Sequence, residues 1–135
     1  MTTTHEIEVY VRFCETDAVG HVNNTSHFLY LEEARTKLFK ILYPNRSSSL
    51  SFLIVSIQCD YVAQAYADET LKVASHVSKI GTKSFTISQI LSNANTGKII
   101  ATASAVMVCY SHVEEKTVII PPDLRMNLEE HLFAK

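Results

Sequence analysis

The chain has 135 residues, of which 47% are hydrophobic and 19% charged, and its formal net charge is -2 at pH 7. That length fits one domain, residues 1–135, and suffices for a real core without disulfide or metal staples. The balance excludes a disordered chain and offers no basic stripe for nucleic acid.

Residues 5–13 read as a strand: Ile7, Val9, Val11 and Phe13 alternate with Glu6, Glu8, Tyr10 and Arg12, a period of two. Residues 14–24 are small and polar and read as a loop. Residues 26–43 carry the one long helical pattern. Glu33, Thr36, Lys37 and Lys40 share a polar face, with Glu33 and Lys37 spaced to pair,. Around the rest run Phe28, Leu29, Leu31, Ala34, Leu38, Ile41 and Leu42. So broad an apolar surface predicts a helix that is largely buried. Asn24, Thr25 or Ser26 can supply the N-cap oxygen, and Pro44 closes the pattern. Glu32 and Arg35, three residues apart, are spaced for an ion pair of their own.

From residue 52 the chain turns to strands, at 52–65, 70–80, 84–93 and 98–112. Gly81-Thr82 and Asn95-Thr96-Gly97 mark tight reversals, so neighbouring strands are expected to pair antiparallel,. Ala101, Ala103 and Ala105 share a face and would let a helix approach closely. Residues 123–132 read as a short closing helix behind Pro121 and Pro122. One helix among five strands needs a curved sheet to cover it, so the fold class is α+β with an antiparallel sheet wrapped around a central helix.

Several chemistries find no support. There is no GxSxG elbow, no HExxH, no GxGxxG and no phosphate-binding loop, and the six histidines are scattered,. No metal and no resident cofactor are expected. Cys14, Cys59 and Cys109 are odd in number and widely spaced. Free thiols in or near the core of a cytoplasmic protein are the simple expectation. The polar first six residues lack the features of a signal peptide, and no apolar run is long enough to span a bilayer, so no membrane partner is expected.

The informative stretch runs from Val11 through Thr16, Asp17, Gly20, His21, Val22, Asn23 and Asn24 to Glu33, Ala34 and Arg35. It closely resembles the 4-hydroxybenzoyl-CoA thioesterase group of the hotdog superfamily, in which a TDxxGHVNN-type loop feeds the central helix. Asp60-Tyr61, Leu71, Ile80-Gly81, Lys83-Ser84-Phe85 and the tail from Ile120 to Arg125 also look like family positions. The resemblance covers nearly the whole chain. Where the family usually has a Pro, and often a Gly, between Tyr61 and the next strand, this chain has Gln64 and Asp68, which predicts a changed loop.

The resemblance implies a hotdog fold and hydrolysis of acyl-CoA thioesters carrying small aromatic or short- to medium-chain acyl groups. Coenzyme A would be part of the substrate, and an acyl carrier protein could replace it. Asp17 would act as nucleophile or as base for water; its plainer role is an Asx turn bracing the loop. His21 and Asn24 join it as catalytic candidates. Free N–H groups at the helix start, over Asn24, Thr25 and Ser26, suit a carbonyl oxygen gaining charge. One such donor is worth roughly 2.7–4 kcal/mol in a transition state. Asn23, Thr25 and Ser26 are expected at the substrate. CoA phosphates call for cations, and Lys79 and Lys83, flanking the Gly81 turn with Ser84 beside them, are the candidates. The family buries its pantetheine arm at a subunit interface, so a homodimer or homotetramer is implied. Two other readings stand beside this one: a hotdog enoyl-CoA hydratase or dehydratase using Asp17 and His21, and a non-catalytic acyl-CoA binding subunit.

Overall fold

The computed structural model describes residues 4–45 and 48–132, so positions 1–3 of the polar leader lie outside the described residues. In chain order the elements are β1 (His5–Tyr10), a 3-10 turn (Phe13–Glu15), α1 (Asn24–Leu42), β2 (Leu50–Tyr61), β3 (Thr70–Ile80), β4 (Ser84–Asn93), β5 (Ile99–Ser111), β6 (Lys116–Thr117) and α2 (Pro122–Glu130). The strands form one antiparallel sheet in the order β1-β3-β4-β5-β2, with β6 on β5.

The hairpins sit where the breakers predicted them. Gly81 N–H donates to Ser84 O at 2.7 Å, and a side chain on Gly81 would meet Ser84 Oγ at 3.0 Å. Gly97 takes φ +79 and closes onto Asn93 O, a conformation glycine adopts without strain. Along β3, Leu71, Val73, Ser75 and Val77 face inward; along β4, Phe85, Ile87, Gln89 and Leu91 do. This is the alternation of a sheet covered on one face.

Helix α1 lies on that face, chiefly over β3 with β1 and β4 beside it. Its inward stripe is His27, Tyr30, Leu31, Ala34, Arg35, Leu38 and Leu42. Each buried leucine removes roughly 1.5–3 kcal/mol of apolar surface from water. The core has two parts, one around Leu31 and Leu71, the other around Leu38, Phe85 and Leu128. Between them runs a polar chain: Arg35 Nη1 donates to Gln89 Oε1 at 3.1 Å, and Gln89 Nε2 donates to Leu31 O and Ser75 Oγ, each at 3.0 Å. Helix α2 caps the far end, where Asn127 Nδ2 satisfies the Leu42 carbonyl, one of those a helix end leaves free.

Five expectations need correction. The first strand stops at Tyr10, and Phe13 points outward, 84% exposed, because the chain turns there to bring Glu15 inside. Helix α1 starts at Asn24 and ends at Leu42, and its N-cap is Asn23. It is buried on one side only: Phe28, Leu29 and Ile41 are exposed. Glu32 and Arg35 form no ion pair within 4 Å, because Arg35 turns inward to Gln89. Cys14 is exposed; only Cys109 is fully buried, and burial pushes its thiol up to about 11. The expected Glu33–Lys37 pair is present at 2.8 Å.

Candidate active site

The loop before α1 is folded around one carboxylate. Asp17 N–H donates to His21 O at 2.7 Å, Gly20 N–H donates to Asp17 O at 3.0 Å, and Gly20 sits at φ +88. Asp17 Oδ1 accepts from Val19 N–H at 2.9 Å and His21 N–H at 3.1 Å. The Asx turn is therefore real, and it does not compete with chemistry: it occupies Oδ1 and fixes the direction of Oδ2.

The base of the loop is anchored by Glu15. Its carboxylate, 8% exposed, accepts from Arg12 N–H at 2.9 Å, from the Arg12 guanidinium at 2.7 and 3.1 Å, and from Tyr30 Oη–H at 2.7 Å. Burial pushes the Glu15 carboxyl up, but these donors outweigh it and hold it below its ordinary value. Glu15 O also accepts the Asn23 N–H at 2.9 Å, so the anchor reaches directly to the helix cap.

Residues 62–69 form the other wall. Val22 N–H donates to Ala65 O at 2.8 Å, and the His21 and Tyr66 rings meet edge to face, 5.1 Å apart. Asp68 sits at φ +71, a left-handed conformation a glycine would adopt freely, and it accepts the Tyr10 hydroxyl at 2.7 Å.

Between the two walls and the first turn of α1 opens a cavity of about 380 Å³. Asp17, His21, Asn23 and Asn24 line it, together with His27, Tyr61 and Gln64. Thr25 and Ser26, expected at the substrate, do not. Asn23 Oδ1 accepts from Thr25 N–H at 3.1 Å and Thr25 Oγ1 at 2.9 Å, and Ser26, buried, gives its N–H to Asn23 O at 2.9 Å. The cap consumes two of the three expected donors. Among the described residues the Asn24 N–H has no partner, so it is the helix-terminal donor left for a ligand.

Lys79, Lys83 and Ser84 are not at this cavity in a single chain. They sit where β3 turns into β4, whereas Asp17 sits beyond the start of β3, with Val11 N–H bonded to Glu69 O. At roughly 3.3 Å per residue the length of β3 puts about 30 Å between the two ends.

Sequence reasoning missed His27. It lies inside the apolar helical pattern, where a histidine reads as packing. Its Nδ1 is 3.1 Å from Asn23 O, its ring meets Tyr61 edge to face at 5.0 Å, and burial lowers its pKa. The available signal was its position four residues after the cap, within reach of the Asn23 carbonyl.

A larger cavity, about 660 Å³, lies further along α1 and the beginning of β2, between Arg35, Phe39, Phe52 and Ile54. It has more space but no carboxylate beside a free helix-terminal N–H, so the smaller cavity is the candidate site. Among the described residues no group of three His, Cys, Asp or Glu side chains could hold a metal, and no helix is long and apolar enough to cross a membrane.

The profile of the Thioesterase-like superfamily matches residues 11–128. An uncharacterized protein of Bacillus subtilis strain 168, YsmA, is 37% identical over 112 residues, covering 82% of this chain and 76% of its own. The long-chain acyl-CoA thioesterase FadM of Escherichia coli K12 is 26% identical over 131 residues, covering 93% and 97%. The structure of a predicted thioesterase from Bacillus stearothermophilus superposes with a TM-score of 0.90 at 29% identity, over 98% of this chain and 99% of that one.

Proposed function

The chain belongs to the thioesterase-like superfamily and is an acyl-CoA thioesterase; from that premise we propose that it cleaves small aromatic or short- to medium-chain acyl-CoA esters in the Asp17 cavity. The observation that carries this reading is the meeting of the oriented Asp17 carboxylate and the free Asn24 N–H in one cavity. A thioester carbonyl laid across the helix start would put its oxygen on the Asn24 N–H and its carbon beside Asp17. As charge grows on that oxygen, a preorganised donor at the positive end of a helix stabilises it. Asp17 then acts as base for a water, or attacks directly to give a mixed anhydride that water opens. Rapid-quench single turnover of a radiolabelled acyl-CoA ester separates the two, since only direct attack places the acyl group covalently on the protein.

The proposed assembly is a homodimer, or a pair of dimers, built on β2. Among the described residues this 12-residue strand pairs only with β5, and Leu53, Ile54, Val55 and Ile57 on it are exposed. A long apolar edge of this kind invites pairing. A second copy added antiparallel about a two-fold axis would cover it, and would bring the partner's β3–β4 turn to the end of the joined sheet that holds Asp17. Lys79, Lys83 and Ser84 then take the proposed role of holding CoA phosphates across the interface. Lys83→Ala should raise KM for an acyl-CoA more than for the same acyl group on a short thiol, and equal effects would remove Lys83 from the site. An acyl carrier protein remains the alternative carrier. The proposed compartment is the cytoplasm, in keeping with three free thiols,.

The test is thiol release from a panel of aromatic and C2–C16 acyl-CoA esters. Release names the acyl class. Release confined to the longest chains would overturn the small-acyl reading, and none from any ester would turn attention to hydration of an enoyl-CoA or to binding alone.

A further inference from the structure

The geometry points to a second acceptor in the Asp17 cavity: we propose that His27 Nε2 accepts a hydrogen bond from the hydrolytic water and, together with Asp17, holds that water against the thioester carbon. The inference rests on the reading of this cavity as the thioesterase site.

His27 is 4% exposed and lines the cavity with Asp17. Its Nδ1 lies 3.1 Å from the Asn23 carbonyl oxygen. A carbonyl only accepts, so Nδ1 carries the ring proton and Nε2 presents a lone pair. That lone pair, on the opposite side of the ring from the backbone, is buried and has no hydrogen-bond partner among the described residues. Buried polar atoms are nearly always satisfied, and an orphan calls for an explanation. If His27 served packing alone, Nε2 would be a standing cost with no return. Desolvation keeps the imidazole neutral, so it remains an acceptor at neutral pH. The titratable side chains beside it are Tyr61 from β2, whose ring packs on it edge to face, and Asp17 and His21 across the cavity. Tyr61 is half exposed, and its hydroxyl reaches Asn24 O at a long 3.3 Å; it is the cover a substrate would shift.

The donor that fits is water. Hydrolysis gives a water two O–H groups to place. One proton passes to the Asp17 carboxylate as the oxygen bonds to the acyl carbon; the C–S bond breaks, and the leaving thiolate recovers that proton. Acid and thiol are the products, and Asp17 ends as it began. His27 takes no proton: it accepts a hydrogen bond from the other O–H and so aims the oxygen lone pair. Where Asp17 attacks first, the same water opens the anhydride and the Asp17 carboxylate is the leaving group. Asn23 Oδ1 is not a rival acceptor, since Thr25 occupies it.

Three variants separate this role from a structural one. Asparagine at 27 can reproduce the Nδ1 contact with Asn23 O but is too short to reach the Nε2 position. Glutamine places an oxygen near the Nε2 position. Phenylalanine fills the space with neither. The measurement is steady-state hydrolysis of the acyl-CoA ester that the wild type turns over fastest, with folding checked by circular dichroism. His27→Phe and His27→Asn should lower kcat about tenfold to a hundredfold with KM within about threefold, the pattern of an interaction made in the transition state, and His27→Gln should recover most of the rate. A structural role predicts the reverse order, with asparagine better than glutamine, and that ranking overturns the inference. So does a raised KM at unchanged kcat, which would make Nε2 a contact for the substrate itself. If His27→Phe does not fold, the Asn–Gln ranking decides alone. A wild type without thioesterase activity removes the premise and the inference with it, whereas activity lost in Asp17→Asn but kept in His27→Asn sinks only the inference.

Discussion

Replacing Glu15 by alanine should loosen the loop that carries Asp17, and the cost can be worked from its contacts. Tyr30 is 4% exposed, and its hydroxyl donates to Glu15 at 2.7 Å. Without that acceptor a buried hydroxyl is stranded, at about 1–3 kcal/mol. The Arg12 side chain is 70% exposed, so solvent screens its ion pair and the stranded hydroxyl sets the scale. The loss is therefore about 1–3 kcal/mol, or a fall in Tm of about 3–15 °C for a domain of this size. Urea unfolding of Glu15→Ala, Tyr30→Phe and the double variant measures it. Because Tyr30→Phe removes the stranded hydroxyl, it should cost little or even stabilise in the Glu15→Ala background, giving a coupling of at least about 1 kcal/mol. A Glu15→Ala loss under about 0.5 kcal/mol, or strictly additive effects, would refute the reasoning. The pH dependence has a defined sign. The folded carboxyl lies below its unfolded value of about 4.3, so its contribution is present above that pH and is lost as pH falls through the folded value,.

Asn23→Ala should cost about 0.5–2 kcal/mol of stability through loss of the cap and should lower kcat as the first turn of α1 frays; an unchanged urea midpoint would remove Asn23 from that role. Burial, foremost among the causes, lowers the pKa values of His5, His27 and His76. The unfolded chain therefore binds more protons below pH of about 6.5, and stability should fall from there as pH drops through the folded values. A urea midpoint at pH 5.5 equal to or above that at pH 7.5 would contradict this.

The residues that repeat with a period were legible in the sequence. The spans of β3 and β4 follow from alternation bounded by turn residues, and α1 follows from its apolar spacing. What stayed hidden depends on partners distant in sequence. Phe13 continues the alternation of β1 yet points outward, because Glu15, two residues on, is pulled in by Tyr30. Arg35 looks like half of a local pair until Gln89, 54 residues away, claims it. Leu29 and Ile41 make α1 appear wholly buried, while one chain covers only one of its sides. At the site, the Asp17 turn is local and readable, since its acceptors and donors lie within four residues. The choice among helix N–H groups was not readable, because it hinges on which asparagine caps. Lys79 and Lys83 carry the right charge for CoA, but strand length separates them from Asp17 within one chain.

The central claim is that the Asp17 carboxylate performs the reaction. Asparagine at that position keeps an oxygen for the Val19 and His21 N–H groups, so the loop should stand and the urea midpoint should stay close to that of the wild type. Thiol release from the best acyl-CoA ester, measured for wild type and Asp17→Asn side by side, tests the claim most directly. Loss of turnover by about a thousandfold or more, in a variant that folds normally, is the predicted result. Near-normal turnover in that variant would contradict the account.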